Sequence, residues 1–229
     1  MNKIEIYYDG VEIEKYNDSY IKGFTTNISF LKNNLISNYD EFIKKSLLYT
    51  DNRPISFQIY DDDDELIEYN TKKIQSYSNS IFVKIPVIKT TGEFNNNIIK
   101  KLHDQNIQIN VTVIFTKEQI DSLKNCFNKK TNVIISIFAG RINDSGIDSS
   151  DILNYAVETF KDYKNIKILW AACRTIYNII EAEKQGAHIV TVPESVLSRL
   201  YRLKQTPLEA SLEAVKTFKE DGINGNIKL

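Results

Sequence analysis

Lys84 is the residue of this sequence whose surroundings most favour reactive chemistry. It stands within the apolar segment Ile-Phe-Val-Lys-Ile-Pro, residues 81–86, where a charged ammonium group is costly to bury. Burial and cationic neighbours lower the pKa of a lysine and raise its share of free amine. A free amine can attack a carbonyl and form an iminium, an electron sink for making or breaking carbon–carbon bonds. The alternative is an ordinary lysine at a strand end whose ammonium group reaches solvent.

Other polar side chains are predicted to face the same space as Lys84. Side chains alternate between the two faces of a strand, and several segments have one apolar and one polar set. In the fourth predicted strand Ile81, Val83 and Ile85 would face the helices, so Phe82 and Lys84 are predicted to point inward. The polar set comprises Asp9, Asn27, Gln58, Lys84, Thr112 and Ser136. Asp9 would supply an acid or base for proton transfer, although an Asp-Gly turn at Asp9-Gly10 is an equal alternative. Thr112 and Gln58 could hold a water molecule, or could form a polar pair that fills the interior.

Strand-like and helix-like segments that could position these residues alternate along the whole chain. The predicted strands are short, rich in β-branched residues and bounded by polar segments. They are Ile4–Tyr8, Gly23–Thr26, Ile55–Ile59, Ile81–Ile85, Ile109–Ile114, Val133–Phe138, Ile166–Trp170 and His188–Val192. This alternation predicts an α/β protein with a parallel sheet, and in 229 residues it suits a single (β/α)8 TIM barrel. In such a barrel, active sites form where the strands end.

The structural alternative is an open, doubly wound sheet. Neither GxGxxG nor GxxxxGK[ST] follows the first strand, so a nucleotide-binding version of that fold loses support. Residues Pro207–Lys219 predict an additional C-terminal helix, whose apolar stripe comprises Leu208, Leu212, Val215 and Phe218. This stripe would pack on the barrel or on another subunit. Because no linker or internal repeat divides the chain, we expect one domain over residues 1–229.

The composition argues against several classes of protein. The formal net charge is -1, so the basic surplus of a nucleic-acid-binding protein is missing. Cys126 and Cys173 are the two cysteines, and without a CxxC or Cys/His cluster we expect neither a zinc site nor a disulfide framework. No apolar run approaches the roughly 20 residues that span a bilayer, and the polar start differs from a signal peptide. We therefore expect a cytoplasmic protein without nucleic-acid or membrane partners.

Six short segments, taken in order, resemble the transaldolase family, including its fructose-6-phosphate aldolase branch. They are Tyr8–Asp9, Gly23–Asn27, Phe82–Pro86, Ile109–Thr112, Phe138–Ile142 and Ala171–Arg174. The resemblance covers nearly the entire chain. It implies a (β/α)8 barrel and the chemistry of a class I, Schiff-base aldolase.

The resemblance implies a role for each matching polar residue on the strands. Lys84 matches the Schiff-base lysine, and Asp9 matches the acid/base carboxylate. Asn27 matches the amide that holds a hydroxyl of the donor sugar. Thr112 matches the hydroxyl that positions the catalytic water, with Gln58 as its partner on the third strand.

Further matching positions concern substrate binding. Arg141 and Arg174 match basic residues that receive the substrate phosphate, which suits the planar fork of a guanidinium. We expect Phe138 and Ser136 to line the substrate site as well. Ala172 stands where the family usually has a phosphate-binding Ser, and losing such a hydrogen bond costs on the order of 1 kcal/mol.

Two positions bear on the branch of the family. Transaldolases generally carry Glu where this sequence has Gln58, whereas the aldolase branch carries Gln. A glutamine can orient water but cannot exchange a proton. Phe138 matches the Phe of transaldolases rather than the Tyr of the aldolase branch. The site thus combines one feature of each branch.

The resemblance implies an enzyme that transfers a dihydroxyacetone unit between sugar phosphates through Lys84, as in the pentose phosphate pathway. One alternative is cleavage or formation of a carbon–carbon bond without transfer. Another, from a different class, is a barrel that binds sugar phosphates or a protein partner without turnover, and Gln58 and Ala172 motivate it. No metal or organic cofactor is expected, because the lysine itself is the electron sink. A homo-oligomer is expected, because the family is usually oligomeric.

Overall fold

A closed barrel of eight parallel strands forms the centre of the computed structural model, which describes residues 4–16 and 18–228. The strands are β1 (Glu5–Asp9), β2 (Ile21–Thr25), β3 (Ile55–Gln58), β4 (Ile81–Pro86), β5 (Ile109–Ile114), β6 (Val133–Ile137), β7 (Ile166–Trp170) and β8 (Ile189–Pro193). The predicted (β/α)8 barrel is thereby confirmed, and the alternative of an open sheet is wrong. The largest difference in strand limits is at β2, which begins at Ile21 instead of Gly23.

Helices surround the barrel and connect its strands. They are α1 (Ile28–Asn33), α2 (Tyr39–Leu47), α3 (Asp64–Gln75), α4 (Asn96–Asp104), α5 (Lys117–Asp121), α6 (Ala139–Asp144), α7 (Ser150–Phe160), α8 (Tyr177–Lys184), α9 (Glu194–Leu197) and α10 (Pro207–Asn224). A short 3₁₀ helix, Ile13–Tyr16, follows β1, and a second one, Leu200–Lys204, follows α9. Within residues 4–16 and 18–228, no helix combines the length and the apolar character that crossing a membrane requires.

Side-chain caps fix the points at which several of these helices begin. The Asp63 carboxylate accepts hydrogen bonds from the first turn of α3, including the Leu66 N–H at 3.0 Å. Thr116 and Gln119 form a reciprocal capping box at α5. Such caps satisfy backbone donors that would otherwise lack partners. They thereby fix the lengths of the loops that leave the C-terminal ends of the strands.

An apolar cluster fills part of the barrel lumen. Its buried members are Tyr7, Phe82, Ile134, Leu169, Ala171 and Ile189, and Phe138 packs against them. The inward orientation predicted for Phe82 from strand alternation is therefore confirmed. Gly23 makes room for the Tyr7 ring, because a Cβ atom at this glycine would lie 2.5 Å from the ring carbons. These side chains fill the lumen at this level, as is typical of a barrel with eight strands.

The C-terminal helix α10 differs from the other long helices because none of its residues is buried. Thr206 and Glu209 form a capping box at its start, so the helix has a well-defined beginning. Its apolar side chains remain exposed, with 70% of Leu208 and 74% of Phe218 accessible to solvent. The predicted additional helix is confirmed, and it extends beyond its expected end to Asn224. Packing of its stripe on the chain's own barrel, one of the two predicted alternatives, is wrong.

Candidate active site

A cavity of about 410 Å³ lies at the C-terminal ends of the strands. Seven of the nine predicted site residues line it: Asp9, Asn27, Gln58, Lys84, Phe138, Arg141 and Arg174. These residues are far apart in sequence, and the barrel brings them together because all of its strands end on the same side. Thr112 and Ser136 are the two predicted site residues that do not line this cavity.

Lys84 lies on the inner face of β4, and its side chain is buried, with 6% of it exposed. Its Nζ atom donates a hydrogen bond to the carbonyl oxygen of Thr26 at 3.3 Å. Burial lowers the pKa of Lys84, and the negative charge of Asp9 opposes this effect only partly. The ammonium group thus ends inside the barrel rather than in solvent. A lysine with a lowered pKa offers more free amine for attack on a carbonyl.

Asp9 ends β1 and is half-buried. Burial raises the pKa of its carboxyl group, while the charge of Lys84 and a hydrogen bond from Thr25 act in the opposite direction. The Thr25 hydroxyl donates to Asp9 Oδ1 at 2.7 Å. A hydroxyl has one proton to donate, so its contact with Thr191 Oγ1 must be one in which Thr191 donates. A carboxyl group with a raised pKa is suited to accept and return a proton near neutral pH.

Asn27 serves as the N-cap of α1. Its Oδ1 atom accepts a hydrogen bond from the Phe30 N–H at 3.0 Å, and its backbone is extended, with φ at -153°. Because the cap engages the amide oxygen, the NH₂ group is the part of Asn27 that can donate to a ligand in the cavity. The amide is thereby oriented before any ligand arrives.

Gln58 ends β3 next to Lys84, with which it is paired in register on β4. Its backbone carbonyl oxygen accepts a hydrogen bond from the Tyr39 hydroxyl at 2.9 Å. Tyr39, the first residue of α2, thereby ties the following helix to the strand end. This contact holds the backbone of Gln58 while its side chain faces the cavity.

Strand β5 contains an irregularity at the level of the cavity. Its register with β6 shifts between Val111 and Ile114, and Val113 has a φ of 64°, a left-handed conformation that β-branched residues rarely adopt. Val113 lines the cavity. Thr112 is completely buried, and its hydroxyl has no hydrogen-bond partner among the residues that the structure describes. Strand alternation could not anticipate this local change in backbone conformation.

Ser136 lies deeper in the barrel than its expected role in substrate binding requires. Its hydroxyl donates to Asn110 Oδ1 at 2.7 Å, and Asn110 Nδ2 donates to Ser56 Oγ at 3.0 Å. All three residues are buried and form one polar layer across strands β3, β5 and β6. The inward orientation predicted for Ser136 is confirmed, but the side chain supports this layer and does not line the cavity.

The two predicted phosphate-binding arginines lie at the rim of the cavity. Arg141 belongs to α6, and its guanidinium lies 5.6 Å from the centre of the Phe138 ring. Arg174 follows β7, and its Nη2 atom lies 3.0 Å from Asp144 Oδ2. A guanidinium can bind a phosphate group through two parallel hydrogen bonds. The rim can therefore receive an anionic end of a ligand.

The loops that carry these arginines pack closely against each other. Gly140 N–H donates to the Ala171 carbonyl oxygen at 3.1 Å. A Cβ atom at Gly140 would lie 1.8 Å from the Ala172 carbonyl oxygen, so only glycine fits here. Ala172 itself is in the left-handed region, with φ at 65°. This packing fixes the distance between α6 and the segment after β7.

Sequence reasoning did not single out several residues of the site, among them Thr191 and Val113. Thr191 supports the carboxyl group of Asp9 through Thr25, and strand alternation in β8 would have pointed to it. Val113 lines the cavity only because of its unusual backbone conformation, for which the sequence contains no clear signal. In the parts of the chain that the structure describes, no group of three or more His, Cys, Asp or Glu residues could hold a metal ion.

Comparisons with known proteins identify similar sequences over nearly the whole chain. The family model described as "Transaldolase/Fructose-6-phosphate aldolase" matches residues 6–228. A "Probable transaldolase" of Thermoanaerobacter sp. (strain X514) is 30% identical over 210 residues, which cover 91% of this chain and 90% of that protein. A "Probable transaldolase" of Nitrosopumilus maritimus (strain SCM1) is 27% identical over 237 residues, covering 99% of this chain and 100% of that protein.

Solved structures of more distant proteins share the architecture. Orotidine 5'-monophosphate decarboxylase from Sulfolobus solfataricus matches with a TM-score of 0.55 at 12% identity, covering 96% of this chain and 100% of that chain. Mandelate oxidase with benzoyl-formic acid matches with a TM-score of 0.52 at 9% identity, covering 82% of this chain and 64% of that chain. At such low identity the likeness shows the barrel fold alone.

Proposed function

Because this chain belongs to the transaldolase/fructose-6-phosphate aldolase family, we propose that it acts on sugar phosphates through a Schiff base on Lys84. Membership confirms the resemblance seen in the six sequence segments. The observation that carries the proposal is the position of Lys84, buried inside the lumen and sharing one cavity with Asp9. The lowered pKa of the amine and the raised pKa of the carboxyl group support it.

The first stage of the proposed reaction joins the substrate to the protein. The free amine of Lys84 attacks the ketone carbon of a ketose phosphate and forms a carbinolamine. Asp9 then transfers a proton, directly or through a water molecule, to the departing hydroxyl group, which leaves as water. The product is an iminium that carries a positive charge next to the carbon chain.

The second stage breaks a carbon–carbon bond. Asp9, now ionised, takes the proton of the hydroxyl on the fourth carbon as the bond between the third and fourth carbons breaks. The electron pair of that bond moves into the iminium. An aldose phosphate leaves, and a three-carbon enamine remains on Lys84. The Asn27 NH₂ group is oriented by its cap to hold a hydroxyl of this unit.

The fate of the enamine distinguishes the two activities in the family. In transfer, the enamine attacks the aldehyde of an acceptor sugar phosphate, whereas in simple cleavage it is protonated and hydrolysed. Phe138 lines the cavity and has no hydroxyl that could deliver a proton, which favours transfer. Gln58 favours the second outcome, as in the aldolase branch. We propose transfer of a dihydroxyacetone unit as the main activity, with a role in the pentose phosphate pathway.

Reductive trapping tests the Schiff base. The protein is incubated with fructose 6-phosphate or dihydroxyacetone, reduced with borohydride and weighed by mass spectrometry. A three-carbon adduct on Lys84 is expected, and it should be absent from Lys84→Met. Lys89→Met serves as a matched control, because Lys89 lies outside the cavity in an ion pair with Asp64 at 2.7 Å, and it should keep the adduct. A wild-type protein without any adduct would contradict the proposal.

A second experiment separates transfer from cleavage. Consumption of fructose 6-phosphate is measured with and without erythrose 4-phosphate as the acceptor. Transfer predicts that the acceptor greatly accelerates consumption, because the enamine is otherwise hydrolysed slowly. Equal rates would rule against transfer and favour the aldolase activity.

We also propose that α10 packs against a second copy of the chain. In proteins most of the stability of a helix comes from packing of its amphipathic face, and no residue of α10 is buried within the chain. The double variant Leu212→Asp/Val215→Asp should reduce the mass measured by light scattering. Thr217→Asp, on the opposite face of the helix, should leave the mass unchanged. A wild-type mass equal to that of one chain would refute this proposal.

The cellular location is a further proposal. Cys126 and Cys173 are both free and buried, as is common in proteins of a reducing compartment. We propose that the protein works in the cytoplasm, which cell fractionation followed by immunodetection can test. Recovery in the membrane or secreted fraction would contradict it.

A further inference from the structure

The rim of the cavity contains a carboxylate that already binds one of the two arginines. Arg174 and Asp144 form an ion pair at 3.0 Å, and about half of each side chain is exposed, 54% and 53% respectively. Ion pairs in such exposed positions are weak and exchange readily. The Arg174 guanidinium can therefore bind another anion, but only by giving up or sharing its contact with Asp144.

Asp144 also lies close to the second arginine along the chain. Arg141 and Asp144 are three residues apart on α6, a spacing that places two side chains on neighbouring positions of a helix. Asp144 is the last residue of α6, where exposed carbonyl groups disfavour a negative charge. Arg174 offsets this unfavourable position, which gives the ion pair a reason to persist when no ligand is present.

Apart from Lys84, the two arginines are the only cationic side chains that line the cavity in the part of the chain that the structure describes. Ala172 has no hydroxyl to donate. The Arg141 guanidinium lies over the Phe138 ring, and among residues 4–16 and 18–228 it takes part in no ion pair. An incoming phosphate therefore meets one available arginine and one arginine that is bound to a carboxylate.

We propose that Asp144 competes with the substrate phosphate for Arg174 and thereby sets the selectivity between phosphorylated and unphosphorylated sugars. When a phosphate binds, Arg174 exchanges a carboxylate oxygen for a phosphate oxygen, and no covalent bond changes. The Asp144 carboxylate then lies beside a dianion and repels it. An unphosphorylated sugar does not meet this repulsion. The proposal rests on the proposed function, because it concerns the same cavity and its sugar substrates.

Kinetics with matched substrates test the role of Asp144. Asp144→Asn removes the charge with little change in shape, and KM for fructose 6-phosphate is expected to fall about fivefold. KM for fructose and kcat for both sugars should stay within twofold, because Asp144 lies at the rim and away from Lys84. Asp144→Ser, a second neutral variant, should behave alike. An unchanged or higher KM for the phosphorylated sugar in both variants would overturn the proposal.

The neighbouring ion pair of Lys117 and Asp151, at 2.8 Å, supplies the control. Asp151→Asn removes the same charge from the same side of the barrel, at a residue that pairs with Lys117 and not with an arginine of the rim. Its KM for fructose 6-phosphate should equal that of the wild type. A fall matching that of Asp144→Asn would mean that overall charge, and not competition for Arg174, controls phosphate binding, and would overturn the proposal.

A binding measurement decides the matter independently of catalysis. Inorganic phosphate is titrated into the wild type and Asp144→Asn, and calorimetry should give a Kd about fivefold lower for the variant. Combining Asp144→Asn with Arg174→Ala should abolish this gain, because the competition requires the arginine. Equal Kd values, or a gain that survives Arg174→Ala, would refute competition. This test holds even if Lys84 forms no adduct, so failure of the proposed chemistry is distinguishable from failure of this proposal.

Discussion

Two pairs of lysine and carboxylate lie inside the barrel, and β1 supplies the acid of each. At the N-terminal end of the strands, Lys167 on β7 binds Glu5 at 2.6 Å, with 44% and 34% of the side chains exposed. At the C-terminal end, Lys84 shares the cavity with Asp9 and is almost completely buried. Each pair consists of a lysine and a carboxylate from β1, but the surroundings of the two pairs differ. Water stabilises the charges of the first pair, whereas burial destabilises both charges of the second.

The comparison indicates that burial, rather than the pairing of a lysine with an acid, prepares Lys84 for chemistry. The apolar cluster of Tyr7, Phe82, Ile134, Leu169 and Ile189 occupies the lumen between the two pairs. It separates an ion pair that closes one end of the barrel from a candidate catalytic pair at the other. Matched substitutions at equivalent positions of the two pairs test this interpretation.

The largest difference is expected between the two lysines. Lys84→Met should reduce kcat/KM for fructose 6-phosphate by about three orders of magnitude or more, because it removes the amine that forms the proposed covalent intermediate. Lys167→Met should stay within about threefold of the wild type, because it removes only an exposed ion pair. Steady-state kinetics on both variants provide the measurement. Similar losses in the two variants would end the distinction between the pairs.

Substitutions of the two acids should also differ in their effect on activity, with the larger loss at Asp9, but the difference should be smaller than for the two lysines. Asp9→Asn is expected to lower kcat about 100-fold or more, the range typical of a lost general acid or base, because an amide cannot exchange protons. Glu5→Gln should leave kcat nearly unchanged. The isosteric changes keep the packing, and circular dichroism can verify the fold of each variant. A kcat for Asp9→Asn within threefold of the wild type would exclude proton transfer by this residue.

Stability should respond in the opposite sense to activity at Lys84. The pKa of Lys84 is lowered in the folded protein. At pH values between this lowered pKa and the ordinary pKa of a lysine, the unfolded chain therefore binds more protons than the folded protein does. The free energy of unfolding rises with pH through that window. Below the window the buried charge costs free energy. Lys84→Met should therefore raise the free energy of unfolding at pH 7 by about 1 kcal/mol or more. Denaturation in urea measures this, and a less stable variant would show that the contacts of the ammonium group outweigh its desolvation.

The smallest effect is expected at Thr25, which has no counterpart beside Glu5. Thr25→Val removes the hydrogen bond that stabilises the Asp9 carboxylate and lowers its pKa. The pKa of Asp9 should rise further, so the alkaline limb of the pH profile of kcat/KM, which reports loss of the proton that Asp9 donates in the first stage, should move to higher pH. The matched change Thr26→Val leaves this hydrogen bond intact and should not move the limb. An unshifted profile in Thr25→Val would place another group in control of that limb.

How much of this site could be predicted depends on how regular the backbone is. The inward orientation of Lys84 and Phe82 followed from strand alternation, because β4 is regular and its outer residues are uniformly apolar. The position of Thr112 could not be predicted in this way, because the left-handed conformation of Val113 interrupts the alternation at the level where β5 meets the cavity. Ser136 faces inward as expected, but alternation gives no information about depth along the barrel axis.

Contacts between loops could not be predicted from the sequence at all. The ion pair of Arg174 and Asp144 depends on how α6 approaches the segment after β7, which the packing of Gly140 on Ala172 determines. Neither residue lies on a strand, so no periodicity predicts its direction. The pairing of Glu5 with Lys167 could not be predicted from the sequence either, because their strands are not paired with each other and flank β8 on its two sides.

Closure of the barrel has a consequence for the order of events during protein synthesis. β1 pairs with β8, with Asp9 opposite Pro193, so residues near the two ends of the sequence must meet. A ribosome must therefore synthesise the chain through β8 before Thr191 can reach Thr25 and Asp9. Until then β1 has an unpaired edge, which can associate with other chains, and its pairing over a long sequence distance is intrinsically slow. Nascent chains thus complete the candidate site only after β8 has been synthesised, and the edge of β1 is exposed to aggregation until then.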